Sequence, residues 1–155
     1  MALKICELVS ILLLTFVSGM YWGPWLGVSR SFSVLEPNIL LPVVRNMGSN
    51  MSSLMTILVP VALLSVVPVL VLSYHAFPIT FGLALAALLL FTLTLIVTML
   101  VEVPIVSQIT AWTPSTLPDD WQQTRDRWGA FHLLRVIPSV AGLVLMLAGA
   151  ILVPN

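Results

Sequence analysis

Three ionisable residues at the ends of hydrophobic segments are the candidates for chemistry in this sequence: Glu102, His132 and Arg135. His132 and Arg135 are three residues apart, so a helix places them on one face. A histidine can act as a general base at neutral pH, and a guanidinium can stabilise an oxyanion. Because a charge inside a membrane is costly and normally faces a partner or a cavity, these residues predict a catalytic site between helices.

The helix face that carries His132 and Arg135 also carries two tryptophans and a further arginine. At helical spacing, Trp121, Arg125 and Trp128 precede His132 on this face. Indole rings can hold a flat aromatic molecule, so we predict that these three residues bind the substrate. The alternative for tryptophans at such a position is anchoring at the membrane–water interface.

Four hydrophobic segments must position these residues. The chain has 155 residues, of which 59% are hydrophobic and 8% charged, and this composition is that of a membrane protein. The predicted spans cover about residues 5–28, 53–74, 80–103 and 130–153. We therefore predict an all-α fold in one domain over residues 1–155. It is an integral membrane, antiparallel four-helix bundle with two longer polar loops on one side.

Three features carry predictions about local structure. The Ser, Asn and Pro content of residues 29–52 predicts an irregular loop with a short interfacial element over residues 38–44. Pro104 is expected to end or bend the third span just after Glu102. Glu7 either reaches the headgroup region or faces the bundle. The first interpretation is favoured because Glu7 lies near the start of its span.

The charges and the Cys and His residues exclude several classes of function. Six basic and six acidic residues give a formal net charge of zero, which predicts no nucleic acid partner. No Cys and His residues have metal-site spacing, and the Glu-x-x-His motifs of di-iron bundles are missing from the sequence. We predict no metal. The expected partners are the lipid bilayer and a hydrophobic small molecule, and homo-oligomerisation stays open.

Between Glu102 and Arg135 the sequence resembles the anthrone-oxygenase-like family of small four-helix membrane proteins. The resemblance rests on Glu102-Val-Pro-Ile-Val106, Trp112, Asp120-Trp121, Arg125-Asp-Arg127-Trp128 and Phe131-His132-Leu-Leu-Arg135. It implies a multi-pass protein of the bacterial inner membrane. The implied activity is that of an oxidoreductase, a monooxygenase that oxidises a hydrophobic phenolic or quinone-like substrate at the membrane interface without a cofactor. Val106 stands where many relatives carry Asn.

Two other interpretations compete with catalysis. In the first, Glu102, His132 and Arg135 form a structural network that fixes the register of the helices. In the second, the protein is non-enzymatic and serves lipid binding or complex assembly, with small residues such as Gly142 and Gly149 on its packing face. A cavity shared by the three ionisable residues would favour catalysis over both alternatives.

Overall fold

Five α-helices form the fold in residues 1–27 and 29–153, the part of the chain that the computed structural model describes. The helices are α1 (Ala2–Gly27), α2 (Pro37–Ser73), α3 (Pro78–Val97), α4 (Val103–Ala111) and α5 (Trp121–Leu152). A 3-10 helix over Ser29–Val34 joins α1 to α2, and a π-helical turn over Thr98–Glu102 joins α3 to α4. Val28, the predicted end of the first span, lies outside the described residues.

Four helical stretches of the described residues are long and apolar enough to cross a membrane. They are Ala2–Val34, Pro37–Ser73, Pro78–Ala111 and Trp121–Leu152. Helices α1, α2, α3 and α5 follow one another around the bundle, and α5 closes the ring against α1. The predicted all-α, four-helix membrane fold is confirmed, and the protein is an integral membrane protein.

Two hydrophobic cores lie one after the other along the same helices. Helix α2 contributes Val59 to the larger core and Val44 to the smaller one, and α5 contributes Val136 and Trp128 in the same order. Glu102, in the π-helical turn, lies at the level where one core gives way to the other. The buried polar side chains at this level, those of Glu102 and His132, therefore lie between two apolar layers.

Residues 37–52 are helical, which differs from the predicted irregular loop. Helix α2 starts at Pro37, whose fixed φ suits a first helical position. Leu40, Leu41 and Val44 are buried at helical spacing in the smaller core. The polar residues that suggested a loop lie on the exposed side of the same helix, as Asn46 does. Burial of one apolar face therefore outweighs the loop-like composition.

The third membrane-crossing stretch continues through Pro104. This proline lies in the first turn of α4, directly after the π-helical turn, and has no N–H to donate to a carbonyl of that turn. The preceding π-helical turn is closed by the N–H of Val103, which donates to the carbonyl oxygen of Thr98. The wide turn takes up the proline without breaking the helix.

Glu7 faces the bundle interior, so the favoured prediction that it reaches the headgroup region is wrong. Its side chain is 2% exposed, and Lys4 Nζ lies 3.4 Å from its Oε2 atom. Lys4 Nζ also donates to the carbonyl oxygen of Ala150 at 2.8 Å. Lys4 thus brings a positive charge to the last turn of α5 and to Glu7 together, which offsets the cost of burying the carboxylate.

Gly142 marks a close approach of α5 to α3. A Cβ atom at this position would lie 2.9 Å from two ring carbons of Phe91 and 3.2 Å from the carbonyl oxygen of Ala87. Phe91 is itself buried in the larger core. We expect Gly142→Ala to lower the free energy of unfolding by about 1–3 kcal/mol, measured by denaturant titration in detergent micelles.

Gly149→Ala is the matched control on the same helix. Its Cβ atom would meet Leu83 at 3.6 Å, an ordinary van der Waals contact. We expect this variant to stay within about 0.5 kcal/mol of the wild type. Equal losses for both variants would mean that the close approach at Phe91 does not determine the stability.

Candidate active site

Three elements bring the predicted catalytic residues together. Glu102 ends the π-helical turn, Trp128, His132 and Arg135 lie on successive turns of α5, and Tyr21 lies in α1. Glu102 is 2% exposed and His132 3% exposed. We call Glu102, Trp128, His132 and Arg135 the polar cluster.

Glu102 is the centre of the polar cluster. Trp128 Nε1 donates a hydrogen bond to Glu102 Oε2 at 2.7 Å. Arg135 Nη2 lies 3.3 Å from the same oxygen. A buried carboxylate is tolerated only when opposite charge and hydrogen bonds compensate its loss of water. The guanidinium and the indole N–H supply both.

His132 is held in one tautomer by its two neighbours. Nε2 lies 2.9 Å from the carbonyl oxygen of Tyr21, which can only accept a hydrogen bond. Nδ1 lies 2.7 Å from Arg135 Nη2, which can only donate. From these partners we assign the proton to Nε2 and a lone pair to Nδ1. The imidazole is therefore neutral, and it has no lone pair left to take a proton from a substrate.

Nitrogen-15 NMR tests this assignment. We expect His132 to show the two well-separated nitrogen shifts of a neutral ring with the proton on Nε2, because both hydrogen bonds require that tautomer. His75, exposed in the turn between α2 and α3, is the internal control. A His132 ring protonated on Nδ1 would contradict the assignment.

Tyr21 completes the site from α1. Its ring centroid lies 5.0 Å from Arg135 Cζ, a cation–π contact. Its carbonyl oxygen receives the hydrogen bond from His132, which is 111 residues away along the chain. Tyr21 was not predicted from the sequence, because it is uncharged and stands beside Trp22 in a hydrophobic segment. Aromatic residues at the end of such a segment are typical anchors at the membrane interface.

An apolar cavity of about 820 Å³ lies beside the polar cluster. Helices α1, α2, α4 and α5 and the end of α3 with the π-helical turn all contribute to its walls. The four residues of the polar cluster line it together with Tyr21. Cavities of roughly 300–1,000 Å³ with mostly apolar walls and a few convergent polar groups are typical of small-molecule sites.

Two buried atoms of the polar cluster have no hydrogen-bond partner among the described residues. They are Glu102 Oε1, an acceptor, and Arg135 Nε, a donor. Buried polar groups in folded proteins are nearly always paired. Both side chains therefore keep hydrogen-bonding capacity that the described residues do not use.

Trp121 and Arg125 lie outside the cavity walls, contrary to their predicted role in substrate binding. Arg125 Cζ lies 5.1 Å from the Trp121 ring centroid, and Arg125 Nη1 donates to the carbonyl oxygen of Phe32 at 3.5 Å. Phe32 stacks on Trp128 with 4.8 Å between ring centroids. The first turns of α5 therefore hold the 3-10 helix in place. Of the three predicted substrate-binding residues, Trp128 lines the cavity.

The donors around Glu102 suit a hydrogen-bonded ligand better than a metal ion. Both N–H groups that reach Glu102 Oε2 occupy lone pairs that a metal would need. Residues 1–27 and 29–153 contain no group of three or more His, Cys, Asp or Glu side chains that could hold a metal. That the protein uses neither metal nor cofactor stays a prediction.

Fold and site together define the class: a small integral membrane protein whose four-helix bundle encloses an apolar cavity with a buried Glu, Arg and His at its wall. The family model described as anthrone oxygenase matches residues 49–145, more than half of the chain. The protein belongs to the anthrone oxygenase family, which confirms the resemblance seen in the sequence. The matched range contains the polar cluster and leaves out Tyr21. No curated protein and no solved structure matches the chain.

Proposed function

We propose that the protein is an oxygenase that oxidises a hydrophobic phenolic or quinone-like substrate of the anthrone type, at the interface of the bacterial inner membrane and without a cofactor. Family membership supports the reaction class. The observation that carries the proposal is that the ion-paired side chains of Glu102 and Arg135 are among those that line an apolar cavity, while one buried atom of each, Glu102 Oε1 and Arg135 Nε, has no hydrogen-bond partner among the described residues.

Glu102 is the proton acceptor in this proposal. Its Oε2 atom is engaged by Trp128 and Arg135, so Oε1 is left to accept a proton from the acidic CH2 group that lies across the central ring from the carbonyl. His132 does not take the proton, because both of its ring nitrogens are engaged. Its role is to orient Arg135, which changes the sequence-based prediction that His132 is the base.

Arg135 binds the oxygen on which negative charge develops when the proton leaves. Its Nη2 atom is tied to Glu102 and His132 and its guanidinium rests on the Tyr21 ring, so the N–H groups on Nε and Nη1 are the ones that can donate to the substrate. A donor fixed in advance in an apolar site stabilises an enolate more than the ketone from which it forms. Arg135 therefore makes the substrate C–H group more acidic.

The substrate itself supplies the electrons that reduce dioxygen. Loss of the proton to Glu102 leaves an enolate, which gives one electron to dioxygen, and the substrate radical and superoxide then combine into a C–O bond. Glu102 returns its proton to the peroxide. Loss of the remaining C–H proton expels the outer oxygen as water and leaves a new carbonyl. The CH2 group thus becomes C=O, and the second oxygen atom ends in water.

Oxygen uptake by the purified protein in lipid nanodiscs tests the proposal. With an anthrone as substrate, we expect anthraquinone to form on the order of a hundredfold faster than by spontaneous oxidation, because base and oxyanion donor are positioned together. Empty nanodiscs and heat-inactivated protein measure the spontaneous rate. A rate with protein that equals this background would contradict the proposal.

The non-enzymatic alternative has weaker support. It relied on Gly142 and Gly149 as a face for lipid or a partner protein. Both glycines pack instead against α3 of the same chain, Gly142 at Phe91 and Gly149 at Leu83. The small residues therefore serve the internal packing of the bundle, and homo-oligomerisation stays an untested prediction.

A further inference from the structure

The cavity is much longer than a ring system at the polar cluster requires. Its wall on α2 runs from Val44 to Pro60, and the opposite wall runs from Leu95 to Thr110. At the helical rise per residue, each wall is about 22–24 Å long. Gly48 faces Val106, to which a Cβ atom would lie at 3.5 Å. This antiparallel register places Glu102 near the middle, with about 10 Å of groove on either side.

The half of the cavity on the side of the larger core is apolar, and we call it the lower groove. It is lined by Met55, Thr56, Val59, Pro60, Leu95, Thr98 and Met99. The two hydroxyls among these side chains already donate to backbone carbonyl oxygens at 2.8 Å, that of Thr56 to Ser52 and that of Thr98 to Thr94. The lower groove therefore offers its occupant contact with apolar atoms and no free hydroxyl donor.

Methionines are concentrated on the cavity wall. Met47, Met51 and Met55 follow one another at helical spacing on α2, and Met99 lines the opposite side. These are four of the seven methionines in the chain. Unbranched thioether side chains adapt to the shape of their ligand. Such a wall suits a flexible chain better than a rigid ring of one shape.

The lower groove opens sideways between α2 and α3. Met99 is 59% exposed, and Thr56 and Pro60 on the facing helix are exposed as well. Helices α2 and α3 pack less closely than the other neighbouring pairs of the bundle. Both stretches are apolar enough to lie in the membrane. We place this opening in the hydrocarbon, where a ligand dissolved in the bilayer can reach it.

We infer that the substrate is an aromatic ring system that carries a long apolar chain. The ring lies at Glu102 and Arg135, and the chain runs along the lower groove towards the lipid. The inference rests on the proposed function for the position of the ring. A bare ring system would occupy the middle of the cavity and leave the methionine-lined lower groove without a function.

Two tryptophan variants of α2 test the inference. Met55→Trp fills the lower groove, and Met47→Trp makes the same change two helical turns away, beyond the level of Glu102. The probes are anthraquinones with a methoxy or an octyloxy chain for binding and the matching anthrones for oxygen uptake, all in nanodiscs. Because every protein is studied in the same lipid, partitioning of the probe cancels when variants are compared.

We expect Met55→Trp to raise the Kd for the octyloxy probe about tenfold relative to that for the methoxy probe, since several methylene groups lose their contacts. Met47→Trp should change both Kd values by the same factor. Leu95→Trp, on the opposite wall of the lower groove, is the second variant in case Met55→Trp does not fold.

The two readouts separate this inference from the proposed function. Chain-dependent binding without any anthrone oxidation would support the inference and overturn the proposed function. Oxidation with the same ratio of Kd values in wild type, Met55→Trp and Leu95→Trp would overturn the inference alone. The second result would mean that the chain of the substrate does not lie in the lower groove.

Discussion

Glu102→Gln is expected to lower kcat for anthrone oxidation by about 10²–10⁴-fold, the contribution typical of a positioned general base. Glutamine keeps the shape of the side chain and a carbonyl oxygen that can accept the hydrogen bond from Trp128 Nε1, which is 2.7 Å long in the wild type. It removes the basic oxygen that accepts the proton. The change should therefore affect kcat far more than KM, measured by oxygen uptake in nanodiscs.

Glu36→Gln is the matched control for this prediction. Glu36 is exposed, lies just before α2 and takes no part in the cavity wall, so the same chemical change should leave kcat within about twofold. Full turnover in folded Glu102→Gln would remove the proton-accepting role from Glu102.

Arg135→Met is expected to destabilise the protein by about 3–5 kcal/mol, the cost of leaving a buried charge without its partner. Arg135 Nη2 serves Glu102 Oε2 at 3.3 Å and His132 Nδ1 at 2.7 Å. Removing it leaves a carboxylate and an imidazole nitrogen uncompensated between two apolar cores. The measurement is the free energy of unfolding in mixed micelles.

The double variant Glu102→Gln/Arg135→Met separates charge from packing. Without the carboxylate, the loss of the guanidinium costs less, and we expect a coupling energy of about 2–3 kcal/mol between the two sites. Arg127→Met is the control on the same helix. Arg127 lies on the exposed side of α5 over the Phe131 ring, at 5.7 Å, and its loss should cost under about 1 kcal/mol. Additive losses at Glu102 and Arg135 would contradict a direct interaction.

The four membrane-crossing helices and the meeting of Glu102, His132 and Arg135 could be predicted from the sequence. Hydrophobic segments of bilayer length are a local signal. Ionisable residues at the loop ends of consecutive, antiparallel spans must come to similar depths, and their cost in lipid directs them towards one another. Both predictions follow from the positions of residues within each helix, without information about contacts between distant parts of the chain.

Other parts of the site depend on long-range contacts, which a local sequence pattern does not predict. The tautomer of His132 is set by the carbonyl oxygen of Tyr21 in α1 and by the guanidinium of Arg135, and the sequence carries no signal for either geometry. Trp121 and Arg125 share a helix face with His132, but α5 leaves the cavity before it reaches them. A shared face therefore did not ensure a shared site.

The sequence of residues 37–52 contains a helix pattern, but the high Ser, Asn and Pro content of this stretch obscured it. Leu40, Leu41 and Val44 have the spacing of a buried helix face, and Pro37 suits a first helical position. The Ser, Asn and Pro residues that predicted a loop lie mainly on the exposed side of the helix, and the apolar residues that predict a helix lie on the buried side. The error affects the functional site, because this part of α2 forms one wall of the cavity.

The structure of the protein in nanodiscs with a bound octyloxy anthraquinone is the most direct test of the claim that the cavity beside Glu102 and Arg135 is the active site. We expect a ring carbonyl oxygen about 2.7–3.2 Å from Nε or Nη1 of Arg135, with the chain in the lower groove. A ligand bound elsewhere on the protein, while lipid fills the cavity, would contradict it.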